Sequence, residues 1–124
     1  MFLVPAQQLG QVRLTSSGVA SELVSGAELA VEVTRIQIVN NGANTVTVEL
    51  YHDDDGTTYD ATSKIRTYYL TATGAAGDMA ELAAQIPGGG ISISPDGNLA
   101  VEATGTSPDV TVTAYGITDS SNRQ

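Results

Sequence analysis

Acidic side chains are the densest group of residues in this sequence that could carry chemistry. Asp53 and Asp55 lie in a run of three aspartates, and Asp60 follows in the same polar stretch. Their carboxylates, together with the Thr57 hydroxyl, are hard oxygen donors of the kind that Ca²⁺ prefers. An EF-hand is not indicated, because placing Asp53 and Asp55 at its inner ligand positions puts Thr62 where a bidentate glutamate is required. We predict a hydrated polar loop between strands, and a calcium loop of another type with Asp53, Asp55 and Asp60 as ligands stays open as the alternative.

Catalytic groups are sparse in the sequence. His52 is the single histidine and cysteine is absent, so the composition excludes disulfides and thiolate metal sites. No serine lies in a GxSxG segment, and Gly88-Gly89-Gly90 lacks the lysine and the helix start of a phosphate-binding loop. A Ser-His-Asp triad assembled across the fold stays open, but a lone histidine beside aspartates at a strand end is typical of a surface residue. We predict no enzymatic activity and no bound cofactor.

Charge and hydropathy limit the kinds of partner. The 124 residues include 14 acidic and five basic ones, for a net charge of −9. An acidic surface repels phosphate backbones, so we predict no nucleic-acid partner. The first residues lack the basic region of a signal peptide, and no stretch approaches the roughly 20 apolar residues of a membrane span, so we predict no membrane partner. The apolar fraction is 41%, with no tryptophan and one phenylalanine, which predicts a thin aliphatic core that neighbouring subunits could extend.

The elements that would position these residues are strands. The segment 29–52 has the pattern of two strands joined at Asn41-Gly42, residues that tolerate the positive φ of a tight hairpin. Alternate residues are apolar in both halves, which is the period of a strand with one buried face. In the first half the apolar positions change parity between Val33 and Ile36. This change predicts either a β-bulge near residues 34–35 or a strand that passes from one sheet to another.

The rest of the chain predicts an all-β domain. Turn signals separate short alternating segments, and residues 99–104 and 110–115 are predicted to form a final hairpin. About eight short antiparallel strands at this spacing indicate a β-sandwich or barrel. Residues 79–85 fit one short helix that follows a capping box, and an extended segment is the open alternative. The predicted divisions are an N-terminal arm at 1–10, a single β-sandwich domain at 11–118 and a polar C-terminal tail at 119–124.

Two pieces of residues 34–119 carry a recurring pattern of strands and turns. One piece is a strand, an Asn-containing turn and a strand ending in Tyr-His, here TRIQIVNNGANTVTVELYH. The other is an edge strand, a Pro-Asp-Gly turn and a strand rich in Val and Ala, here ISISPDGNLAVEAT. With Asn40-Asn41-Gly42, Tyr51-His52 and Pro95-Asp96-Gly97 at the matching positions, residues 34–119 resemble the small β-sandwich structural proteins of tailed bacteriophages. The segment DMAELAAQ departs from the pattern, because a plain strand is expected there.

The resemblance implies a jelly-roll-like sandwich with a role in the virion. Proteins of this type decorate or cement a capsid, typically as trimers, or form part of a head or tail appendage. We therefore expect a capsid cement or decoration protein at the capsid surface, bound to the major capsid protein or other virion subunits. The alternative is a receptor- or glycan-binding module of a head or tail fibre, calcium-dependent through the loop aspartates.

Apolar side chains that the pattern leaves at the surface indicate where partners would bind. The apolar residues of the arm would be unfavourable in water, and we predict that the arm contacts the capsid or a neighbouring subunit, with a frayed terminus as the open alternative. The segment 64–71 is partly apolar on both faces, which fits a subunit interface. Its tyrosines could also form an aromatic patch with Tyr51 and Tyr59 that suits a sugar or a protein, with half-buried packing as the open alternative. The predicted contact residues are Phe2, Leu3, Val4, Arg13, Tyr68 and Tyr69.

Overall fold

The computed structural model describes residues 7–26, 30–71 and 90–118 of the chain. These residues form eight β-strands in two antiparallel four-stranded sheets, and no helix occurs among them. The prediction of an all-β sandwich is therefore confirmed, while the helix predicted near 79–85 lies outside the described residues. The strands are β1 Gln7–Leu14, β2 Val19–Ser25, β3 Val31–Asn40, β4 Val46–Asp53, β5 Lys64–Leu70, β6 Ile91–Ile93, β7 Asn98–Gly105 and β8 Val110–Thr118.

The strands are connected as a jelly roll. The first sheet has the order β1-β8-β3-β6 and the second sheet the order β2-β7-β4-β5. The pairs are nested, since β1 pairs with β8, β2 with β7, β3 with β6, and β4 with β5. Pairing of β3 with β8 and of β4 with β7 joins these couples into the two sheets. This is the eight-stranded, double-sheet arrangement that the resemblance implied.

The two predicted hairpins are wrong. β3 lies in the first sheet and β4 in the second, so the chain turns a corner between the sheets after Asn40 instead of folding back on itself. β7 and β8 are separated in the same way. At the first corner Gly42 has no positive φ. Its N–H instead donates to the side-chain oxygen of the buried Asn40 at 3.0 Å. This turn is therefore shaped by a side-chain hydrogen bond, without a left-handed backbone conformation at Gly42.

The change of parity in β3 is a β-bulge. Val33 pairs with Gly116 and Arg35 with Tyr115, which leaves Thr34 as the extra residue. Val31 and Val33 before the bulge, and Ile36 and Ile38 after it, consequently all face the core. The first of the two explanations offered by the sequence is therefore the correct one.

The core between the sheets is aliphatic. Its largest fully buried side chains are isoleucines, leucines and valines, and Tyr68 supplies the aromatic ring in the core of the described residues. Each buried Val, Leu or Ile contributes roughly 1.5–3 kcal/mol to folding. The fully buried set is Ile36, Ile38, Leu50, Ile93, Leu99, Val33, Val46, Val48, Val101, Val110 and Val112.

Two bulges bring the sheets together where β1 and β2 meet. The register of β1 shifts between Gln8 and Gly10, and that of β2 shifts between Glu22 and Val24. At this point a Cβ on Gly10 would overlap the main-chain oxygen of Leu23. Only a residue without a side chain allows this approach of the two backbones, so glycine is required here by close packing. The strand begins at Gln7, which places the end of the predicted arm within β1.

Candidate functional site

The acidic loop between β4 and β5 uses its carboxylates to hold its own backbone. Asp53 accepts a hydrogen bond from the main-chain N–H of Asp55 at 3.2 Å and from that of Thr58 at 2.7 Å. Asp60 accepts from the main-chain N–H of Thr62 at 2.8 Å and from its hydroxyl at 2.6 Å. Short acidic side chains stabilise turns in this way. The predicted polar loop is present, and its aspartates serve as local caps.

These contacts set the direction in which each carboxyl titrates. Hydrogen bonds from the main-chain N–H groups of Thr58 and Asp55 lower the pKa of Asp53. Hydrogen bonds from the hydroxyl and then the main-chain N–H of Thr62 lower the pKa of Asp60. A hydrogen bond and the negative charge of Asp53 raise the pKa of Asp55. Across residues 7–26, 30–71 and 90–118, no three His, Cys, Asp or Glu side chains are arranged to hold a metal ion. The geometry therefore adds no support to Asp53, Asp55 and Asp60 as calcium ligands.

The acidic loop is fixed to the turn between β6 and β7. The Ser94 hydroxyl donates to the carbonyl oxygen of Asp54, and the Asn98 side-chain amide donates to that of Gly56, both at 2.7 Å. His52 lies beside this contact, with Nε2 3.7 Å from Asp54 Oδ1. Nε2 is buried and makes no hydrogen bond in the part of the chain that the structure describes. A Ser-His-Asp triad would need a serine hydroxyl at a ring nitrogen, and the described residues place none at Nε2.

A cluster of charged and phenolic groups covers the outer face of the second sheet, and we call it the tyrosine–carboxylate cluster. At its centre the Tyr51 side chain, 4% exposed, lies between Glu49 on its own strand and Glu102 on β7. The Tyr51 hydroxyl is 2.7 Å from Glu49 Oε2 and 3.1 Å from Glu102 Oε1. Lys64 Nζ approaches Glu49 Oε2 to 3.0 Å. The ring of Tyr59 packs against Tyr51, with centroids 6.3 Å apart and planes inclined at 43°.

The tyrosine–carboxylate cluster balances two like charges. Glu49 and Glu102 are direct cross-strand neighbours, a placement that is destabilising for two carboxylates. Hydrogen bonds from Tyr51 and Lys64 lower the pKa of Glu49 and offset this repulsion. Burial and the two carboxylates raise the pKa of Tyr51, so the phenol stays protonated. A phenol has one proton to donate, and the Tyr51 hydroxyl therefore donates a hydrogen bond to one carboxylate at a time.

The sequence did not reveal the tyrosine–carboxylate cluster. Tyr51 and Glu102 lie 51 residues apart, and only the pairing of β4 with β7 brings them together. The aromatic patch predicted from four tyrosines is reduced to Tyr51 and Tyr59, because Tyr68 points into the core and Tyr69 lies on the surface of β5. The two carboxylates and the phenol are tied to one another, which indicates a structural role for the cluster.

Strand β5 presents two exposed large apolar side chains on the second sheet. Tyr69 is 77% exposed and Ile65 is 40% exposed, whereas Tyr68 is 8% exposed and packs in the core. Burial raises the pKa of the Tyr68 phenol. Of the two tyrosines predicted at an interface, Tyr69 is therefore the one whose side chain is accessible to a partner. Its role there stays a prediction.

Arg13 is bound within its own chain. Its guanidinium donates to both oxygens of Asp109, from Nε at 2.8 Å and from Nη2 at 2.7 Å, while the side chain stays 66% exposed. This pair lowers the pKa of Asp109 and links β1 to the turn before β8. An open groove of about 120 Å³ adjoins it, with Leu14 and Val19 among the lining residues. Contact of Arg13 with a capsid stays a prediction, and Phe2, Leu3 and Val4 lie outside the described residues.

Comparisons with protein-family models, curated proteins and solved structures found no match for this chain. The function must therefore be argued from the residues and the fold. Within the described ranges, no helix has the length and apolar character needed to cross a membrane.

Proposed function

We propose that this chain is a non-enzymatic virion structural protein. In this proposal it cements or decorates the head of a tailed bacteriophage by bridging capsid subunits at the outer surface of the shell. The jelly-roll connectivity carries the proposal, because it is the fold that the phage resemblance implies. The fold alone does not fix a function, so the chemistry of the surface has to agree with it.

The charged groups of the described surface agree with a docking role. Asp53 and Asp60 hold their own loop, Arg13 is bound to Asp109, and Glu49 is bound to Tyr51 and Lys64. Groups committed to one another in this way maintain a rigid surface and are poorly placed to move protons to a substrate. The surface is then suited to shape-complementary contact.

The proposed mechanism is burial of protein surface across the junctions between capsid subunits. An interface of standard size removes about 800 Å² from each partner, and burial of exposed apolar groups such as Tyr69 would contribute to it. The net charge of −9 favours basic regions of the shell as landing sites, because complementary charge speeds association. Phe2, Leu3 and Val4 are proposed to add arm contacts.

Co-sedimentation with expanded, DNA-free shells of the phage whose genome encodes this chain tests the proposal. We expect saturable binding at a fixed ratio to capsid subunits, weakened when residues 2–4 are deleted. Absence of saturable binding by the full chain would refute the virion role. Undiminished binding by the deleted chain would refute only the contribution of the arm.

A glycan- or receptor-binding module of a head or tail fibre is the second candidate. The ring of Tyr69, which is 77% exposed, favours it, since an aromatic face accessible to solvent suits a sugar. Calcium dependence through the loop aspartates is tested by thermal melts with Ca²⁺ and with chelator. We expect the same melting temperature in both, because the loop carboxylates already have partners. A higher melting temperature with Ca²⁺ would instead support a calcium site in the loop.

A further inference from the structure

Charge is divided unevenly between the two sheets. Among the described residues, the second sheet and the loop between β4 and β5 hold seven acidic side chains and two basic ones. Three of these acids lie on strands, and four are aspartates at the end of β4 and in the loop. In the first sheet and the turn before β8, Arg13 and Arg35 balance Glu32 and Asp109. The negative charge of the described residues is therefore concentrated on one side of the sandwich.

The three strand carboxylates project from the outer face of the second sheet. Glu49 lies between the buried Val48 and Leu50, so its side chain points away from the core. Glu102 is its direct cross-strand neighbour on β7. Glu22, on β2, is exposed. The carboxylates of three strands thus share one face of the sheet.

The acidic loop and an exposed aromatic ring extend this surface, which we call the acidic face. The ring of Tyr59 packs against that of Tyr51, so the loop lies against the outer side of the sheet. Tyr69 is 77% exposed and pairs with Thr47, which places it on the same side as Glu49. Four strands about 4.8 Å apart and about 25 Å long make a face on the order of 500 Å². With the loop added, this approaches the roughly 800 Å² that a standard interface takes from each partner.

Glu102 lacks a cation of its own on the acidic face. Lys64 Nζ lies 3.0 Å from Glu49, whereas no lysine or arginine within 7–26, 30–71 and 90–118 forms an ion pair with Glu102. The Tyr51 hydroxyl, 3.1 Å from Glu102, has one proton and is also 2.7 Å from Glu49. Two carboxylates directly opposite one another across strands are destabilising. A cationic side chain from a partner would relieve this repulsion, so a basic surface complements the acidic face.

The outer face of the first sheet has no such imbalance. The Arg13 guanidinium donates to both oxygens of Asp109, at 2.8 and 2.7 Å. The Gln11 side-chain amide donates to the Thr113 hydroxyl at 2.8 Å. Because its charges are balanced and these polar groups bind one another, this face offers a charged partner little net attraction.

We propose that the acidic face docks on a protein surface rich in lysine and arginine, with the first sheet turned away from it. This inference rests on the proposed virion role and adds to it the side of the molecule that meets the shell and the charge of the shell surface there. Lysine and arginine side chains of the shell approach Glu22 and Glu102. Tyr69 adds apolar contact beside them, and its ring can also receive a cation. Complementary charge of this kind orients the partners and speeds their association.

The dissociation constant for expanded, DNA-free phage shells, measured by co-sedimentation at about 0.15 M salt, tests the acidic face. Glu102→Gln removes one negative charge from this face, and the matched control Glu32→Gln removes one from β3 of the first sheet. The two variants have the same net charge, so a difference between them reports the position of the charge. We expect Glu102→Gln to raise the dissociation constant on the order of tenfold, and Glu32→Gln by about twofold or less.

The melting temperature of the free protein separates docking from folding. Glu102→Gln ends the repulsion with Glu49, and its amide oxygen can still accept from Tyr51, so this variant should melt at or above the temperature of the wild type. Weaker binding without loss of stability is the expected result, and a purely structural role for Glu102 would not produce it. Glu22→Gln, at an exposed position of the same face, replaces Glu102→Gln if that variant melts at a lower temperature.

Binding by the wild type distinguishes this test from that of the virion role. A wild-type chain that does not bind the shells would refute the virion role and this inference together. Saturable wild-type binding that neither Glu102→Gln nor Glu22→Gln weakens would refute the acidic face and leave the virion role standing. A larger loss with Glu32→Gln than with these variants would also refute it, because the first sheet would then face the shell.

Discussion

Asn40 determines the corner between the two sheets at the level of single residues. It is fully buried, and its side-chain amide donates to the carbonyl oxygens of Asn44 at 3.0 Å and of Thr71 at 3.1 Å. Its side-chain oxygen accepts from the N–H of Gly42 at 3.0 Å. One side chain thus satisfies main-chain groups from the corner and from the end of β5. Sequence patterns placed Asn40 in a turn but gave no sign of its burial.

We predict that Asn40→Ala destabilises the fold by about 1–3 kcal/mol, because two carbonyl groups and one N–H would lose their hydrogen bonds to a fully buried side chain. Asn41→Ala is the control, since Asn41 is exposed and donates to Thr111 Oγ1 at 2.9 Å, where water can replace it. The measurement is the free energy of unfolding in urea. Equal losses for the two variants would contradict the role given to Asn40.

The tyrosine–carboxylate cluster should make stability depend on pH. Tyr51 and Lys64 lower the pKa of Glu49, so ionised Glu49 stabilises the folded state above the unfolded pKa. That contribution is lost as the pH falls from about 5 through the lowered folded-state pKa. Glu49→Gln should therefore lose less stability than the wild type over this interval, in melts at a series of pH values. Lys64→Met should reduce the same acid dependence, and identical profiles for all three proteins would contradict the assignment.

The candidate sites were only partly predictable from residue types. The aspartates of the acidic loop were correctly placed in a polar loop, but their hydrogen bonds to Thr58 and Thr62 depend on the conformation of that loop. Tyr69 and Tyr68 were equivalent in the sequence, and the pairing of β5 with β4 decides which of them faces solvent. Contacts between distant strands, such as Tyr51 with Glu102, leave no local pattern at all.

Strand periodicity predicted the elements better than their connections. The alternation identified the strands, and the change of parity located the bulge at Thr34. The hairpins were wrong because a short polar turn can return a strand to its neighbour or carry it across to the facing sheet. A period of two fixes which side chains face inward, but it does not say which sheet a strand belongs to.

The paired bulges of β1 and β2 give a prediction at the scale of elements. Gly10→Ala should destabilise the protein by about 1–3 kcal/mol, because its new Cβ would overlap the main-chain oxygen of Leu23 and force the strands apart. Gly42→Ala is the matched control. A Cβ there would meet its nearest neighbours at 3.7 Å, an ordinary contact. Comparable unfolding free energies for the two variants would show that the sheets are not closed by this approach.

At the scale of the whole molecule, an aliphatic jelly roll carries a strongly acidic surface. The sequence predicted the fold class because the number and spacing of strands leave few all-β alternatives. The jelly-roll topology and the proposed virion role came instead from a resemblance, and the topology has been confirmed. Function is harder to predict, because a docking surface needs no catalytic pattern and depends on the shape of its partner.

Thermal stability of the shell is the most direct test of the cement role. Expanded, DNA-free shells of the tailed phage to which the proposal assigns this protein are melted by calorimetry with and without a saturating amount of it. A protein that binds the intact shell in preference to its separated subunits must raise the melting temperature of the shell. We predict such a rise, saturating at a fixed ratio of this protein to capsid subunits. An unchanged melting temperature at saturation would contradict the proposed function.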